Sequence, residues 1–367
     1  MNLVLDIETD STQSKIWMVV TKNLDTGELL CHTEVKTLKP LIEQAELVIG
    51  HNLIGFDAYH LATLWKIPIF PSKCWDTLIV SRLLKPDIAD GHSLEAWGRR
   101  LGSKKIDYTE EYKKQKLRID PSYVYKDKDE WDYPLLDLME EYCDQDVELT
   151  ATLFVDLKRQ LKSQKFSDYS VELEHQVAWI VAQQVRNGVL IDQRALMLLK
   201  AEVEDELATL TNKMVAEFEP NVIQLKTKVK TTPFNPGSRM QIIERLKSRG
   251  WVPTEFTEKD NVVLDEEILK AMDIPEAKVF LRFFELQKIN SFLTNWDDKI
   301  EPDGRIHGRV ITNGAVTGRM THSSPNLGQV PSAQTELGKR CRALFVVPSG
   351  CSMVGIDASG LELRMLA

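Results

Sequence analysis

Short apolar runs separated by polar turns fill the first fifty residues. Leu3 to Ile7, Lys15 to Thr21, Gly27 to Glu34 and Ala45 to Gly50 each read as a strand, the third entered through the turn Asp25-Thr26-Gly27-Glu28. Apolar spacing turns helical over Asp57–Lys66 and Asp76–Leu84. Three hairpin-linked strands, then a helix and another strand, predict a mixed sheet with helices packed on it. From about Ser170 the pattern lengthens. Val171 to Asp192 reads as a helix stopped by Asn187-Gly188 and followed by a short strand, and Arg194–Phe218 and Glu266–Trp296 read as two more long helices. Between these two lies a basic, β-branched piece, Val222 to Ser238. From Asp303 onward loops and short strands take over, with frequent Gly and Pro. His92 to Gly102 reads as an amphipathic helix with a glycine stop, its Trp97 in the core. Near the end, Val354 to Asp357 reads as a strand that delivers one aspartate to the start of a helix.

Composition narrows the class. The chain has 367 residues and 43% hydrophobic content, enough for two or three cores. No apolar stretch is long enough to cross a bilayer, and MNLVLDIETD lacks the basic and apolar regions of a signal peptide. Five scattered cysteines without CxxC spacing read as reduced thiols of a cytosolic protein. The net charge of −9 argues weakly against nucleic acid. Yet Arg305 to Arg342 holds six basic residues against the single acidic Glu336, a local balance of +5. Such a stripe can hold a phosphate backbone.

Three short motifs suggest chemistry. Asp6 and Glu8 are two apart on a strand and share a face. HNLIGFD, with Asn52, Phe56 and Asp57, stands at the exit of the fourth strand. YCDQD places Tyr142 and Asp146 four apart, on one helix face. Each motif alone is usually structural; the set in this order is much less expected by chance. Paired magnesium ions need hard, anionic oxygen ligands. In two-metal phosphodiester cleavage such ions sit roughly 4 Å apart and clamp the attacking and leaving oxygens. Asp6, Glu8, Asp57 and Asp146 are candidate ligands, and Tyr142 is a candidate for orienting the attacking water.

These residues resemble the three exonuclease motifs of the DEDD superfamily, in its tyrosine-containing branch, on an RNase H-like fold. The resemblance implies 3′→5′ nucleotide removal with Mg2+, or Mn2+ in its place. HSLEAWGRRLG resembles a segment of phage replicative DNA polymerases. RNGVLID, from Arg186 to Asp192, and FNPGSRMQI, from Phe234 to Ile242, resemble the entry and thumb of family A (Pol I-like) polymerases. In the second, Asn235 to Ser238 form a turn and cap, with Arg239 in the first helical turn. VTGRMTHSSPNLGQVP, from Val316 to Pro331, resembles the stretch that touches primer-template. There Arg319 serves phosphates or minor-groove acceptors, and Asn326 and Gln329 serve base edges. Asn52 joins these as a candidate DNA contact. Lys226, Lys228 and Lys230 alternate, so a strand would turn all three to one face, either gripping phosphates or simply solvated. VGIDASGLELR resembles polymerase motif A, which implies Asp357 as a metal-binding palm carboxylate, with Ser359 and Glu362 near the nucleotide pocket.

The implied fold is an α/β RNase H-like exonuclease domain (residues 1–168), a palm entry and mostly helical thumb (169–300) and an incomplete α+β palm (301–367). The fingers helix and the second palm aspartate of family A do not occur in the sequence. The expectation is therefore a split phage polymerase. This chain would supply proofreading and half of the polymerase site, and a second polypeptide would supply the rest. The short stretch Glu219 to Phe234 leaves no place for a thioredoxin-recruiting insertion, so thioredoxin is not expected as a partner, nor is a membrane. Rival readings are a DNA-binding assembly module with inactive exonuclease motifs, a shortened polymerase or stand-alone proofreading nuclease, and an RNase D-like exonuclease.

Overall fold

The computed structural model describes residues 1–103, 105–224 and 229–366. It divides into two compact units: residues 1–187 with 309–323, and residues 188–308 with 324–367.

The first unit is built on a five-stranded sheet. Its strands are β1 (Asn2–Thr9), β2 (Ile16–Asn23), β3 (Leu29–His32), β4 (Leu47–Gly50) and β5 (Cys74–Asp76). Their spatial order is β3-β2-β1-β4-β5. β1, β2 and β3 pair antiparallel, while β4 and β5 join parallel to β1. The expected mixed sheet is therefore present, with one strand more than the apolar runs announced: β5 has only three residues, too few for a periodic signal. Its helices are α1 (Val35–Gln44), α2 (Asp57–Leu64), α3 (Thr77–Leu84), α4 (Leu94–Leu101), α5 (Tyr108–Ile119), α6 (Asp129–Asp132), α7 (Leu136–Ser163) and α8 (Asp168–Asn187). Ser93 caps α4, and Gly102 ends it at φ 74°, a left-handed position that suits glycine; Trp97 is buried, as expected.

β1 divides the core by alternation. Leu3, Leu5 and Ile7 enter one cluster with residues of α1 and α2. Val4 faces the other way and packs with Cys143, Val147, Ala151 and Phe154 of α7. Asp6 and Glu8 continue that second row, so the pleat itself aims them at α7.

The second unit is mostly helical. It contains β6 (Val189–Leu190), α9 (Gln193–Glu217), β7 (Asn221–Gln224), β8 (Val229–Thr232), α10 (Arg239–Ser248), α11 (Glu266–Ala271), α12 (Pro275–Asp297) and β9 (Arg305–Ile306). A hairpin of β10 (Arg309–Ile311) and β11 (Thr321–Ser323) returns to the first unit. Then α13 (Glu336–Ala343) and α14 (Leu361–Leu366) belong to the second again. α9 and α12 share a core of Leu196, Leu199, Val203, Leu286, Ile289, Leu293 and Trp296. The single helix expected over Glu266–Trp296 is two helices: Met272-Asp273-Ile274 break it, and Pro275 opens α12, where a missing N–H costs nothing.

The strand expected over Val354–Asp357 does not form. Residues 351–358 have no regular structure and are exposed. Alternating apolar residues make a strand only where a neighbour takes up the backbone hydrogen bonds, and no described strand pairs with these.

Candidate active site

β1 places Asp6 and Glu8 side by side facing α7. Glu8 is 5% exposed. After Gly50 the chain leaves β4 and turns into α2, whose first residue is Asp57. Asp57 is buried, and its Oδ1 accepts a hydrogen bond from the Ile7 amide at 3.2 Å, tying α2 to β1 between the two motif carboxylates. The turn is held from beneath by Asp76. Its carboxylate accepts from the amides of Asn52 and Ile54, both at 3.0 Å, and from Leu78 at 2.9 Å at the cap of α3. Asn52 takes a left-handed φ of 68°. Gly55 leaves room beside it: a Cβ there would stand 2.4 Å from Asn52 Oδ1, so the Asn52 side chain would have to move.

α7 brings Tyr142 and Asp146 to the same place. Lys105, from the loop after α4, reaches in opposite them. Its Nζ lies 2.6 Å from Asp146 Oδ1 and 2.7 Å from Oδ2, and it donates to the Tyr142 hydroxyl at 3.0 Å. It also stands 4.4 Å from the centroid of the Tyr142 ring.

Four carboxyl groups are thus crowded into a desolvated site. Burial and the charge of Asp146 push Asp6 up to about 7. Burial, then Asp6 and Asp146, raises Glu8 well above the usual range, and burial and Asp6 do the same to Asp57. Burial raises Asp146 as well, with Lys105 opposing. Burial and the surrounding carboxylates raise Tyr142 strongly, so its phenol stays protonated. Such a cluster is short of positive charge. Glu8 is almost fully buried among these like charges, with Lys105 alone acting against them, an arrangement suited to cation binding. Asp6, Glu8 and Cys143 offer donor atoms within 4.8 Å of one another. Asp57 and Asp146 stand outside this tightest group but are tied to it by charge: Asp146 raises Asp6, and Asp6 raises Asp57.

A cavity of about 330 Å³ opens beside Glu8, walled by Phe56, Trp131, Gln13 and Lys128. A second cavity of about 480 Å³ begins at Asn52. Arg82, Arg186, Arg309, His51 and His92 line it, and no carboxylate does.

The remaining sequence candidates lie elsewhere. Arg239 is the first residue of α10, whose cap Ser238 accepts from the Gln241 amide as expected. Arg239 is exposed, with its guanidinium 5.8 Å from the Phe284 ring centroid. Lys230 is exposed on β8, while Lys226 and Lys228 lie outside the described residues. Arg319 is exposed between β10 and β11. Asn326 spends its side chain capping Gly328, and Gln329 beside it is exposed. Asp357, Ser359 and Glu362 are all exposed, and no second carboxylate joins Asp357 in a cluster among the described residues. Sequence reading missed Lys105, Asp76, Arg82 and Cys143. Only Cys143 stood inside a recognised motif; Asp76 and Arg82 lie in a stretch read simply as a helix, and Lys105 in one with no spacing signal.

The sheet order and the helix packed over it define an RNase H-like unit. Residues 5–162 match the family described as 3'-5' exonuclease, and residues 200–367 match DNA polymerase family A. The chain therefore carries a 3′-5′ exonuclease domain and part of a family A DNA polymerase domain. The DNA-directed DNA polymerases of Escherichia phage T7 and Enterobacteria phage T3 are each 29% identical to it over 447 residues, which cover 90% of this chain and 62% of the relative. DNA polymerase I of Aquifex aeolicus is 25% identical over 99% of this chain and 59% of its own length. The chain thus spans about three fifths of the length of these relatives. Among solved structures, the POL domain of Pol1 from M. smegmatis in complex with DNA primer-template and dNTP superimposes with a TM-score of 0.70 at 17% identity. That match covers 95% of this chain and 55% of the other, and it is a likeness of fold.

Proposed function

We propose that the first unit is a metal-dependent 3′→5′ proofreading exonuclease acting on the primer strand of DNA. The observation that carries this reading is the largely buried grouping of Asp6, Glu8 and Asp146 with Tyr142 and Lys105, and Asp57 tied to β1 between the first two. Asp6, Glu8, Asp57 and Asp146 would hold two Mg2+ ions, or Mn2+ in their place. When bound, the metals supply charge that stabilises the attacking and leaving oxygens of phosphodiester hydrolysis. Tyr142, kept protonated, accepts from Lys105 and can donate its own proton to orient a water. The cavity beside Glu8 suits one nucleotide, with Phe56 and Trp131 as stacking walls. The arginine-lined cavity at Asn52 supports an anionic strand as the ligand.

For the second part of the chain we propose a half-site for DNA polymerisation. Asp357 would bind metal there, with Ser359 and Glu362 near the nucleotide. Arg239, Arg319, Asn326, Gln329 and the lysines 226, 228 and 230 would contact primer-template. The fingers and the second palm carboxylate would come from a further segment, in our reading a second polypeptide. The phage alignments run to 447 residues, more than this chain has, so both relatives carry stretches that this chain lacks. No described helix is long and apolar enough to cross a membrane. From the likeness to phage DNA polymerases we propose a cytoplasmic location, that of the host cell if the chain is phage-encoded.

The test is a labelled primer-template with Mg2+, with and without dNTPs, beside an Asp6→Ala/Glu8→Ala control. Shortening abolished in the control, with no extension, is expected. No shortening would favour a DNA-binding assembly module, and extension would overturn the half-site.

A further inference from the structure

His175 is a buried residue of α8, 5% exposed, and both of its ring nitrogens are engaged. Nδ1 lies 2.7 Å from the Val171 carbonyl oxygen one turn earlier in the helix. Nε2 lies 2.7 Å from the backbone nitrogen of Asp76. A carbonyl only accepts and an amide only donates, so these partners fix the ring. The proton sits on Nδ1, and Nε2 accepts from the Asp76 amide.

Asp76 is itself fully buried at the end of β5. Its carboxylate holds the amides of Asn52 and Ile54. The turn passes the constraint on. The Asn52 carbonyl accepts from the Phe56 amide, and the Leu53 carbonyl accepts from the Ala58 amide, both at 2.9 Å. These two bonds bracket Asp57. A continuous path of hydrogen bonds therefore runs from α8 to the carboxylate that meets β1. β5 is the outer strand of its sheet, so a side chain bonded to its amide also closes an open edge. Edge closure alone would be served at any residue of the strand. This bond lands on the residue whose carboxylate sets the turn, and it fixes the backbone from which that carboxylate extends.

We propose that His175 is a positioning residue of the exonuclease: through Asp76 it sets the turn that places Asp57 against β1. What it contributes is an acceptor at Nε2, not bulk and not charge. The proposal rests on the exonuclease reading for the reaction that it serves.

The test uses the full chain with His175 replaced in turn by glutamine, asparagine and leucine. Glutamine carries its amide oxygen near the place of Nε2 and keeps the acceptor. Asparagine carries its amide near Nδ1 and leaves the Asp76 amide without its partner, and leucine offers neither group. Primer shortening with Mg2+ is measured below the melting temperature of each variant, with circular dichroism confirming the fold. His175→Asn and His175→Leu should lower kcat by about tenfold or more, as for a misplaced catalytic group, with KM for the primer unchanged. His175→Gln, the conservative variant, should restore most of the lost kcat. Equal losses in His175→Gln and His175→Asn overturn the role, as does a change in KM alone. If the asparagine and leucine chains do not fold, nitrogen-15 labelled histidine in the parent chain decides. Its long-range proton–nitrogen spectrum, with the His175 signals assigned by their loss in His175→Gln, is expected to show Nδ1 protonated and Nε2 bare. A proton on Nε2 overturns the proposal. A parent chain that does not shorten primer overturns the exonuclease reading, whereas an active parent beside an equally active His175→Asn overturns only this proposal.

Discussion

Two aspartates in this chain stand at the end of similar apolar runs, and they meet opposite fates. Asp6 belongs to a central strand paired on both sides, with α7 laid over its face. Asp357 follows a run of comparable apolar character that pairs with nothing described and stays exposed. The difference teaches that an apolar run makes a carboxylate chemically unusual only when neighbours bury it. At Asp6, burial and nearby charge move the group far from its ordinary behaviour. Around Asp357, Val354 at 77%, Ile356 at 93% and Leu366 at 85% exposure show apolar side chains left in solvent.

The largest effect that would break this contrast is at β1. Asp6→Ala/Glu8→Ala should lower primer shortening by about three orders of magnitude or more, the loss of several kcal/mol of transition-state charge stabilisation. Retained activity in that variant would mean the buried carboxylates are structural. Next comes Lys105→Met, which keeps the stem and removes the charge between Asp146 and Tyr142. We expect kcat for shortening to fall by about a hundredfold, as when a positioned group is lost, with KM for the primer little changed. A rise in KM alone would reassign Lys105 to DNA binding.

Gly55→Ala tests the turn that delivers Asp57. The added Cβ displaces the Asn52 side chain, at a cost of about 1 kcal/mol or less in chemical denaturation; a loss well above that would show that Asn52 cannot move away. A smaller effect is the pH dependence of the metal-free chain. Asp6 in the fold titrates near 7, above its ordinary value, so the folded state binds more protons than the unfolded state between about 4 and 7. The stability from this group is full below the ordinary carboxylate range and is lost as pH rises through 7. In EDTA the melting temperature should fall from pH 5 to pH 8, and Mg2+ should restore it mainly at pH 8. A rise with pH in EDTA would contradict the crowding. Smallest is Asp357→Ala, which should leave stability within about 0.5 kcal/mol, as for exposed residues. A larger loss in thermal melts would mean that its segment is packed after all.

Much of the scaffold was legible along the chain. β1 to β4 came from apolar runs, α4 from its serine cap and glycine stop, and α10 from Asn235-Pro236-Gly237-Ser238. The grouping of Asp6, Glu8, Asp57, Tyr142 and Asp146 followed from strand and helix periods together with the family resemblance. Lys105 was not legible, because nothing in a lysine's local sequence tells where a flexible loop will carry it. Asp76 looked like the first residue of a helix. It is the cap, but its larger task of holding the amides of Asn52 and Ile54 depends on a turn more than twenty residues away. The long helix over Glu266–Trp296 failed for a local reason: Pro275 starts a new helix where apolar spacing alone continues.

By itself, then, the sequence determined which residues alternate on β1, which share a face of α7, and where caps and turns begin and end elements. These follow from backbone periods and single-residue chemistry. Tertiary structure alone decided which of those faces meet, that Lys105 balances Asp146, that Cys143 joins Asp6 and Glu8, and that Asp357 stays in solvent. Desolvation and charge crowding depend on distances between segments far apart in the chain, and no local pattern contains those distances.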